Sequence, residues 1–369
     1  MTGRGLAFQG GLAAVGLVIA YSTWQRAPDR VAGEIVVVDS TKGDLKNVHF
    51  EDDNGSVDVQ RGSDSGESGI WLRVQDKTPV PTTPAKPVKP TSSPGASTPP
   101  PASPAAGTAT AKPRPLRQLR GDEPAEKLLA EFAPFRSPRA FGVLDAKKLK
   151  ELGLDKPKKK LVVVARGETR EFAIGQPPQG SGESYLRDVK DGRVYLMPRQ
   201  ILTDLQGATS RLVDRKLHTF KIPDVDRLRV SSGGKTRDFV IKNRQDANAY
   251  KLAPANAPDK PDEMARNWHD KIWRLFPSEL LGKGEMPAAG TPKIVIRVDY
   301  FDGSKNVGWV ELGKLDVVAG SEPSISPHGP PPSNNGVEVY GRTEHTAGWV
   351  RVHNDPSTLN EADKIATGS

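Results

Sequence analysis

Six histidines are the side chains best suited to acid–base or metal chemistry in this chain of 369 residues. None of them belongs to an H-E-x-x-H motif or to an i, i+4 pair that could bind zinc on one face of a helix. His345 and His353 fall in one hairpin region beside Glu344, but a metal site usually needs about three or four converging ligands. We therefore predict structural roles for the histidines, which are His49, His218, His269, His328, His345 and His353.

Other catalytic motifs are also missing from the sequence. The chain has no cysteine, which excludes a thiol nucleophile, a disulfide framework and a Cys-ligated zinc or iron–sulfur site. It has no G-x-S-x-G elbow and no P-loop. Asp299 and Asp302 flank a turn without the pattern of an acid–base pair. We therefore expect a protein that is not an enzyme and that binds neither a cofactor nor a metal.

A short basic run, DKPKKK, could contact a partner or a lipid surface. The formal net charge of the chain is +8, but the run lacks the base-stacking aromatics and the recognition helix of a nucleic-acid site. Nucleic acid is therefore not an expected partner. A basic surface facing anionic lipid or a partner protein, and a solvated loop before a strand, are the alternatives. The lysines of the run are Lys156, Lys158, Lys159 and Lys160.

Tryptophans form the second group of candidate binding residues. They would indicate a ligand site if they lined a groove between two parts of the chain. For those with helical spacing, packing against a sheet is the alternative. The four tryptophans concerned are Trp268, Trp273, Trp309 and Trp349.

The most apolar stretch of the chain is residues 5–24, which carry no charge. As a helix, this stretch would be about 30 Å long, the thickness of a bilayer core. No A-x-A-like cleavage site follows it, so residues 1–30 are predicted to be an uncleaved signal anchor and transmembrane helix. We expect a single-pass protein of the inner (cytoplasmic) membrane, with most of the chain on the periplasmic side.

The rest of the chain contains one pattern twice. Three alternating runs, a helix and two hairpins occur in residues 34–75 together with 116–217, and again in 218–355. LVVVARGETREFAIG, at residues 161–175, is one of these hairpins, and residues 294–313 are its counterpart. Residues 78–115, which contain 12 prolines and no acidic residue, would be a disordered insertion in the first unit. Residues 356–369 are expected to be a polar tail.

The pattern predicts an α+β fold of two repeated units, each a mostly antiparallel sheet with one main helix. The first helix begins near residues 122–124, and the second corresponds to PDEMARNWHDKIWRLF. We expect their apolar residues to face the sheets. These residues are Leu128, Leu129, Phe132 and Phe135 in the first helix, and Met264, Trp268, Ile272, Leu275 and Phe276 in the second.

Several motifs follow one another in the order of a known bacterial family. They are GLDKP at 153–157, FAIG at 172–175, YLR at 185–187, VYLM at 194–197 and LVDRKLHTF at 212–220. With these motifs the chain resembles the bacterial domain-of-unknown-function family 4340 over most of residues 44–352. The resemblance implies a membrane-anchored, extracytoplasmic protein associated with gliding-type ABC transport systems. It implies no catalytic residue.

We therefore expect a non-enzymatic accessory or scaffold protein, anchored in the membrane and associated with an ABC-type transport or envelope complex. Its partners would be the membrane, through the N-terminal helix, and proteins of that complex. The alternative is a periplasmic module that binds a ligand such as a glycan in the groove between the two repeats.

Overall fold

The computed structural model of the chain describes residues 34–64, 67–77, 116–177, 182–288, 290–316, 336–353 and 356–368. The predicted anchor at residues 5–24 and the Pro-rich segment at 78–115 lie outside these residues. Within the described residues, no helix has both the length and the apolar character needed to cross a bilayer.

The first half of the chain forms a nine-stranded sheet, a two-stranded ribbon and several short helices. The strands are β1 (Ile35–Val38), β2 (Leu45–Glu51), β3 (Gly55–Asp64), β4 (Glu67–Asp76), β5 (Arg117–Arg120), β6 (Phe135–Ser137), β7 (Ala140–Val143), β8 (Lys159–Ala165), β9 (Glu168–Ile174), β10 (Ser184–Asp188) and β11 (Arg193–Met197). The helices are α1 (Glu123–Glu131), α2 (Ala146–Glu151), α3 (Arg199–Gln206) and α4 (Ala208–Arg211). The sheet order is β5-β4-β3-β2-β8-β9-β10-β11-β7, and β1 pairs with β6.

The second half forms an eight-stranded sheet with two helices among the described residues. The strands are β12 (Arg227–Ser232), β13 (Lys235–Lys242), β14 (Lys251–Pro254), β15 (Pro277–Leu280), β16 (Lys293–Asp302), β17 (Lys305–Asp316), β18 (Val337–Thr343) and β19 (Val350–Val352). The helices are α5 (Glu263–Trp273) and α6 (Pro356–Thr367). The sheet order is β14-β13-β12-β16-β17-β18-β19-β15.

Strand order is the same in both sheets when β2–β4 are matched with β12–β14, β8–β11 with β16–β19, and β7 with β15. The extra strand β5 lies at the edge of the first sheet. The described pairings within both sheets are antiparallel, so the sheet-rich α+β class predicted from the sequence is confirmed. β2 pairs with β8, and β4 pairs with β5. One sheet therefore joins strands from both sides of the Pro-rich segment.

Each sheet packs one face against helices, because alternate residues of its strands are apolar. In the first core, Val48 and Leu161 of adjacent strands pack in one cluster with Leu128 and Leu129 of α1. The second core has the same plan. There, Leu228 and Val298 share a cluster with Trp268 and Ile272 of α5 and with residues of α6.

The two main helices begin alike and end earlier than predicted. The Asp122 carboxylate accepts a hydrogen bond from the Ala125 N–H at 3.2 Å, and the Asp262 carboxylate accepts one from the Ala265 N–H at 2.9 Å. These are N-caps, which satisfy a free N–H of the first turn.

Four residues predicted to lie in the helices therefore lie outside them, and the first is Phe132, which caps the C-terminus of α1. α1 ends at Glu131, so Phe135 lies in strand β6. α5 ends at Trp273, so Leu275 and Phe276 follow the helix, and Phe276 is 64% exposed. Apolar residues continue at helical spacing beyond both C-termini, and this continuation made the helices look longer than they are.

The polar tail expected at residues 356–369 is wrong for most of its length, because α6 occupies Pro356–Thr367. Ala362, Ile365 and Ala366 of α6 are buried in the second core. Two of these three are alanines, whose small side chains allow close packing but add little to an apolar pattern. The sequence therefore hides this helix.

Candidate functional site

The two halves of the chain are held together where residues 212–221 lead from one sheet to the other. Thr343, at the end of β18, donates from Oγ1 to the Leu217 carbonyl at 2.5 Å. His345, two residues later, lies with Nε2 2.8 Å from Asp214 Oδ2. Both side chains of the His345–Asp214 pair are about nine-tenths buried, at 10% and 11% exposure. The loop after β18, which belongs to the second sheet, thus binds the segment at 212–221 that connects the two sheets.

Burial raises the pKa of Asp214, but hydrogen bonds with His345 and the Lys216 backbone N–H, together with electrostatic attraction to these two residues, outweigh it. The pKa of this carboxyl is therefore below its ordinary value, and the group is ionised near neutral pH. A buried carboxylate of this kind needs its partners, because an uncompensated charge away from water is costly.

We call Thr343, Glu344 and His345 the clamp. Glu344 makes the third of its contacts. Its carboxylate lies 3.1 Å from Nδ1 of His218 and accepts a hydrogen bond from the Trp309 backbone N–H at 2.9 Å. One carboxylate therefore ties the connecting segment to strand β17.

The imidazole ring of His218 also packs against aromatic rings of the second half. Its ring is stacked on Trp273, with centroids 5.0 Å apart and an angle of 3° between the planes. Tyr300 meets the same imidazole edge-on at 5.4 Å. Phe220 packs on His218, Trp273 and Tyr300. The connecting segment is thus seated by aromatic packing as well as by hydrogen bonds.

His269 of α5 lies deeper, between two tyrosines. The Tyr250 hydroxyl is 2.8 Å from Nδ1, and the Tyr300 hydroxyl is 3.2 Å from Nε2. Burial lowers the pKa of His269 to about 3, so the imidazole is neutral. Burial also raises the pKa of both tyrosines, which keeps their hydroxyls protonated. The imidazole has no exposed surface, so this trio is a structural network sealed from any substrate.

A second contact joins the edges of the two sheets. The Lys283 N–H, just after β15, donates to the Gln118 carbonyl of edge strand β5 at 2.9 Å. A methyl group on Gly282 would lie 2.9 Å from Gln118 N and 3.1 Å from Arg117 Cα. The backbones at residues 282 and 117–118 are therefore so close that only glycine fits at position 282. Leu280 packs against both cores.

The predicted basic run lies beside carboxylates rather than forming an uncompensated positive patch. Lys158 Nζ is 3.1 Å from Asp53, and Lys160 Nζ is 2.9 Å from Glu171, while Lys156 is exposed. The run borders a concave surface of about 610 Å³. The charged residues lining it are Lys77, Lys158, Lys159 and Lys160 together with Glu51, Asp52, Asp53 and Glu171. Equal numbers of each sign favour neither an anion nor a cation there.

Two of the four predicted groove tryptophans lie in the interior. Trp268 is 1% exposed, and its indole N–H donates to the Thr358 carbonyl of α6 at 2.9 Å. Trp349 is 5% exposed, in a small cluster with Leu281 and Tyr340. These rings pack helices and strands and offer no face to a ligand.

The other two tryptophans are partly exposed but do not share a surface feature. Trp273 carries the stacked His218 described above. Trp309 lies on the opposite face of the second sheet, with the guanidinium carbons of Arg297 and Arg342 5.0 and 5.9 Å from its ring centre. Carboxylates pair with both arginines, including Glu311, which contacts both. The four tryptophans are therefore not brought together in one groove.

Metal ligands do not cluster in the part of the chain that the structure describes: no group of three or more His, Asp or Glu side chains is placed to hold an ion. His353 is exposed, and His328 lies outside the described residues. His49 is partly buried 3.0 Å from Asp58, whose hydrogen bond raises the pKa of the imidazole, although burial opposes this.

The clamp was not predicted from the sequence. Its three consecutive polar residues follow strand β18 and look like an ordinary turn. The signal that could have found them is the motif LVDRKLHTF, in which Asp214 and His218 interrupt an apolar pattern and need buried partners.

Comparisons with known proteins give one match. Residues 126–275 match the profile of the family described as "Domain of unknown function (DUF4340)". The range starts inside α1, ends just after α5 and includes the clamped segment at 212–221. It is narrower than the resemblance over residues 44–352. No curated protein and no solved structure matches the chain.

Proposed function

We propose that this chain is a membrane-anchored, extracytoplasmic accessory protein without catalytic activity, which acts as a scaffold in an ABC-type transport or envelope complex. Residues 5–24 would be the anchor in the inner membrane, and the two sheets would lie on the periplasmic side. The sheets would be two copies of one α+β unit, formed by residues 34–75 with 116–217 and by residues 218–355.

The observation that carries this proposal is the charge-free apolar stretch of residues 5–24, followed at residue 34 by a sheet-rich body. A stretch of this length and position is typical of a single membrane span. The match to the family over residues 126–275 supports the proposal, since it covers the motifs that carry the resemblance.

The placement of the polar groups supports a scaffold rather than a catalyst. His218, His269 and His345 all use their ring nitrogens or faces in packing within the protein. A general acid or base must instead reach a substrate within hydrogen-bond distance. His218 and His345 hold the connecting segment at 212–221 against the second half, and His269 is enclosed in the second core, so none of the three is placed to meet a substrate.

The alternative of a glycan-binding groove has less support. A sugar would have to stack on exposed aromatic faces, yet Trp268 and Trp349 are at most 5% exposed. Trp309 is flanked by two arginines that already pack against it.

The test of the scaffold function is purification of the full chain from solubilised membranes through a C-terminal affinity tag. We expect subunits of an ABC-type transporter to co-purify. The matched control carries Leu17→Lys and Ile19→Lys, which place two charges in the apolar stretch and should abolish both membrane association and co-purification. Recovery of no transporter subunit with the unmodified chain would contradict the proposal.

Location is tested separately by fusing alkaline phosphatase to the C-terminus, since this enzyme is active outside the cytoplasm. We expect an active fusion with the natural sequence and an inactive one with the Leu17→Lys, Ile19→Lys variant. An inactive fusion of the natural sequence would place the body in the cytoplasm and overturn the proposed orientation.

A further inference from the structure

The β1–β6 ribbon presents an apolar strand end at the point where the described chain begins. Ile35 is 38% exposed and Val36 is 45% exposed, whereas Val37 and Val38 of the same strand are buried. Adjacent residues of a strand point to opposite sides. Because Ile35 and Val36 are both exposed, the strand end is apolar on both sides, and it projects from the body rather than forming part of a flat face.

This strand end lies close in sequence to the predicted anchor. From Trp24 to Glu34 there are ten residue steps, which can span at most about 35 Å even if fully extended. The other exposed large apolar residues in the part of the chain that the structure describes, such as Leu116, Val143 and Phe276, come at least eighty residues later in the chain. Chain length therefore confines the ribbon, more than any other apolar surface, to the neighbourhood of the bilayer.

The position of the ribbon in the fold points the same way. Ser137 of β6 donates from Oγ to the Leu196 carbonyl of β11 at 2.7 Å, so the ribbon packs beside β11. The second sheet joins at β5, at the opposite edge of the first sheet. Strands lie about 4.8 Å apart, so β5 and β11, which are seven strands apart in the sheet order, are separated by roughly 34 Å along the sheet. The ribbon and the second sheet thus lie near opposite edges of the first sheet.

Basic side chains accompany the apolar strand end. Arg136 pairs in register with Val36, and its guanidinium lies 3.4 Å from Glu34 with about a third of each side chain exposed. Arg139 follows at an exposed position. Exposed arginines beside apolar residues suit the headgroup layer of an anionic bilayer, where the guanidinium reaches phosphate and the apolar side chains reach the acyl boundary.

We propose that the β1–β6 ribbon is the surface through which this protein contacts an anionic bilayer, with Ile35 and Val36 in the headgroup layer and Arg136 at the lipid phosphates. This inference rests on the anchor of the proposed function. A consequence is that the second sheet is held away from the membrane, at the end of the molecule where it is free to meet a partner.

The test uses the absence of cysteine from the chain, which allows a fluorescent label at any single introduced cysteine. The full chain is reconstituted in vesicles of phosphatidylcholine and phosphatidylglycerol, and quenching by lipid-attached quenchers is measured. The labelled positions are Ser22→Cys in the apolar stretch, Val36→Cys in the ribbon and Lys305→Cys at the start of β17 in the second sheet. We expect quenching at residue 36 to be several-fold greater than at residue 305, and to decrease in pure phosphatidylcholine.

A second variant separates contact from mere proximity. Glu34→Cys is labelled with and without Ile35→Ser and Val36→Ser, and the double serine change should lower quenching at residue 34 towards that at residue 305. Equal quenching at residues 36 and 305 in vesicles that carry the protein would overturn the inference and leave the anchor standing.

Two further outcomes have definite meanings. If the label at residue 36 is unquenched by lipid, but the unlabelled cysteine at residue 36 is protected from a water-soluble thiol reagent in native membranes, the occupant is a protein and the bilayer contact is wrong. If the protein does not float with the vesicles and the label at residue 22 is unquenched, the anchor fails, and the proposed function fails with it.

Discussion

His269 lies in the second core with no exposed surface, and its two ring nitrogens face the hydroxyls of Tyr250 and Tyr300. A neutral imidazole has one donor and one acceptor, so one tyrosine accepts from the ring and the other donates to it. A protonated ring would have two donors and a buried charge. The network is therefore complete in one protonation state, and acid should break it.

We predict that His269 makes the folded protein less stable as the pH falls below about 6. Its pKa is about 3 in the folded state against an ordinary value of 6.5, so the unfolded chain takes up a proton that the folded chain does not. The stability is present above the unfolded pKa and is lost as the pH falls towards the folded one. The loss amounts to roughly 1 kcal/mol for each pH unit between pH 6 and pH 4. Urea unfolding at several pH values measures it.

The His269→Gln variant tests this assignment, because an amide can still bond both tyrosines but does not titrate. Its free energy of unfolding should vary less with pH than that of the natural chain. Comparing slopes cancels the contributions of other groups, such as Asp214. The matched control is His353→Gln at an exposed position, which should keep the natural slope. Equal slopes for His269→Gln and the natural chain would contradict the prediction.

Gly308 makes room for the clamped segment. A methyl group at this position would lie 2.7 Å from the Glu344 carboxyl carbon and would collide with the Phe220 ring. We predict that Gly308→Ala lowers the free energy of unfolding by about 1–3 kcal/mol, the usual cost of overpacking. The control is Gly69→Ala, whose added methyl would meet nothing within 4 Å. Chemical denaturation should show a loss at residue 308 that is absent at residue 69.

At the scale of elements, the sequence predicted long and regular features well. The hairpin at residues 161–175 is β8 and β9, and its turn has Arg166 and Gly167 at φ of 52° and 77°. Two positive φ angles define the tight turn that matches the twist of the flanking strands. The apolar run of β8, the polar turn and the shorter alternating run in β9 together carry enough signal to be recognised.

Short edge strands and late helices carry too little signal. β5 has four residues, follows the Pro-rich segment, and forms because β4 offers it a free edge. α6 is held by tertiary contacts, including the Trp268 indole N–H on the Thr358 carbonyl. Such elements are specified by partners far away in the sequence, so a local pattern cannot predict them. The clamp at Thr343 is a similar case.

The N-cap of α5 is a prediction that belongs to this scale. Asp262 satisfies the Ala265 N–H at 2.9 Å and lies 3.3 Å from Arg237. We expect Asp262→Ala to destabilise the protein by about 1 kcal/mol, since the first turn loses its acceptor. Asp259→Ala, at an exposed position three residues earlier, is the matched control and should cost little. A thermal shift that is the same for both variants would show that the cap does not stabilise α5.

At the scale of the whole molecule, two separate contacts fix the second sheet against the first. The clamp grips residues 212–221, and the segment after β15 meets edge strand β5. Both contacts lie at the β5 edge of the first sheet, because the Asp214 N–H donates to the Arg120 carbonyl, two residues from Gln118. Together they hold the second sheet at that edge. The strand order repeats, so each half has a complete sheet of the same topology. The contacts between the halves fix the orientation of one sheet relative to the other.

The pairing of β2 with β8 and of β4 with β5 leads to the last prediction. A specific protease site placed within residues 78–115 should give two fragments that remain associated after cleavage. The first sheet is the reason, because it has strands from both fragments, and its core includes Val48 and Leu72 from one and Leu161 from the other. Size-exclusion chromatography in native buffer should show a single complex.

Unfolding provides the quantitative check. Cleavage turns unfolding into a dissociation, so the urea midpoint of the cut protein should rise with protein concentration, whereas that of the uncut protein should not. Denaturant should separate the fragments, which shows that cleavage is complete. If they separate in native buffer, residues 34–77 form an element independent of residues 116–217. The Pro-rich segment would then be a spacer between two bodies, and its interpretation as an insertion in the first sheet would be wrong.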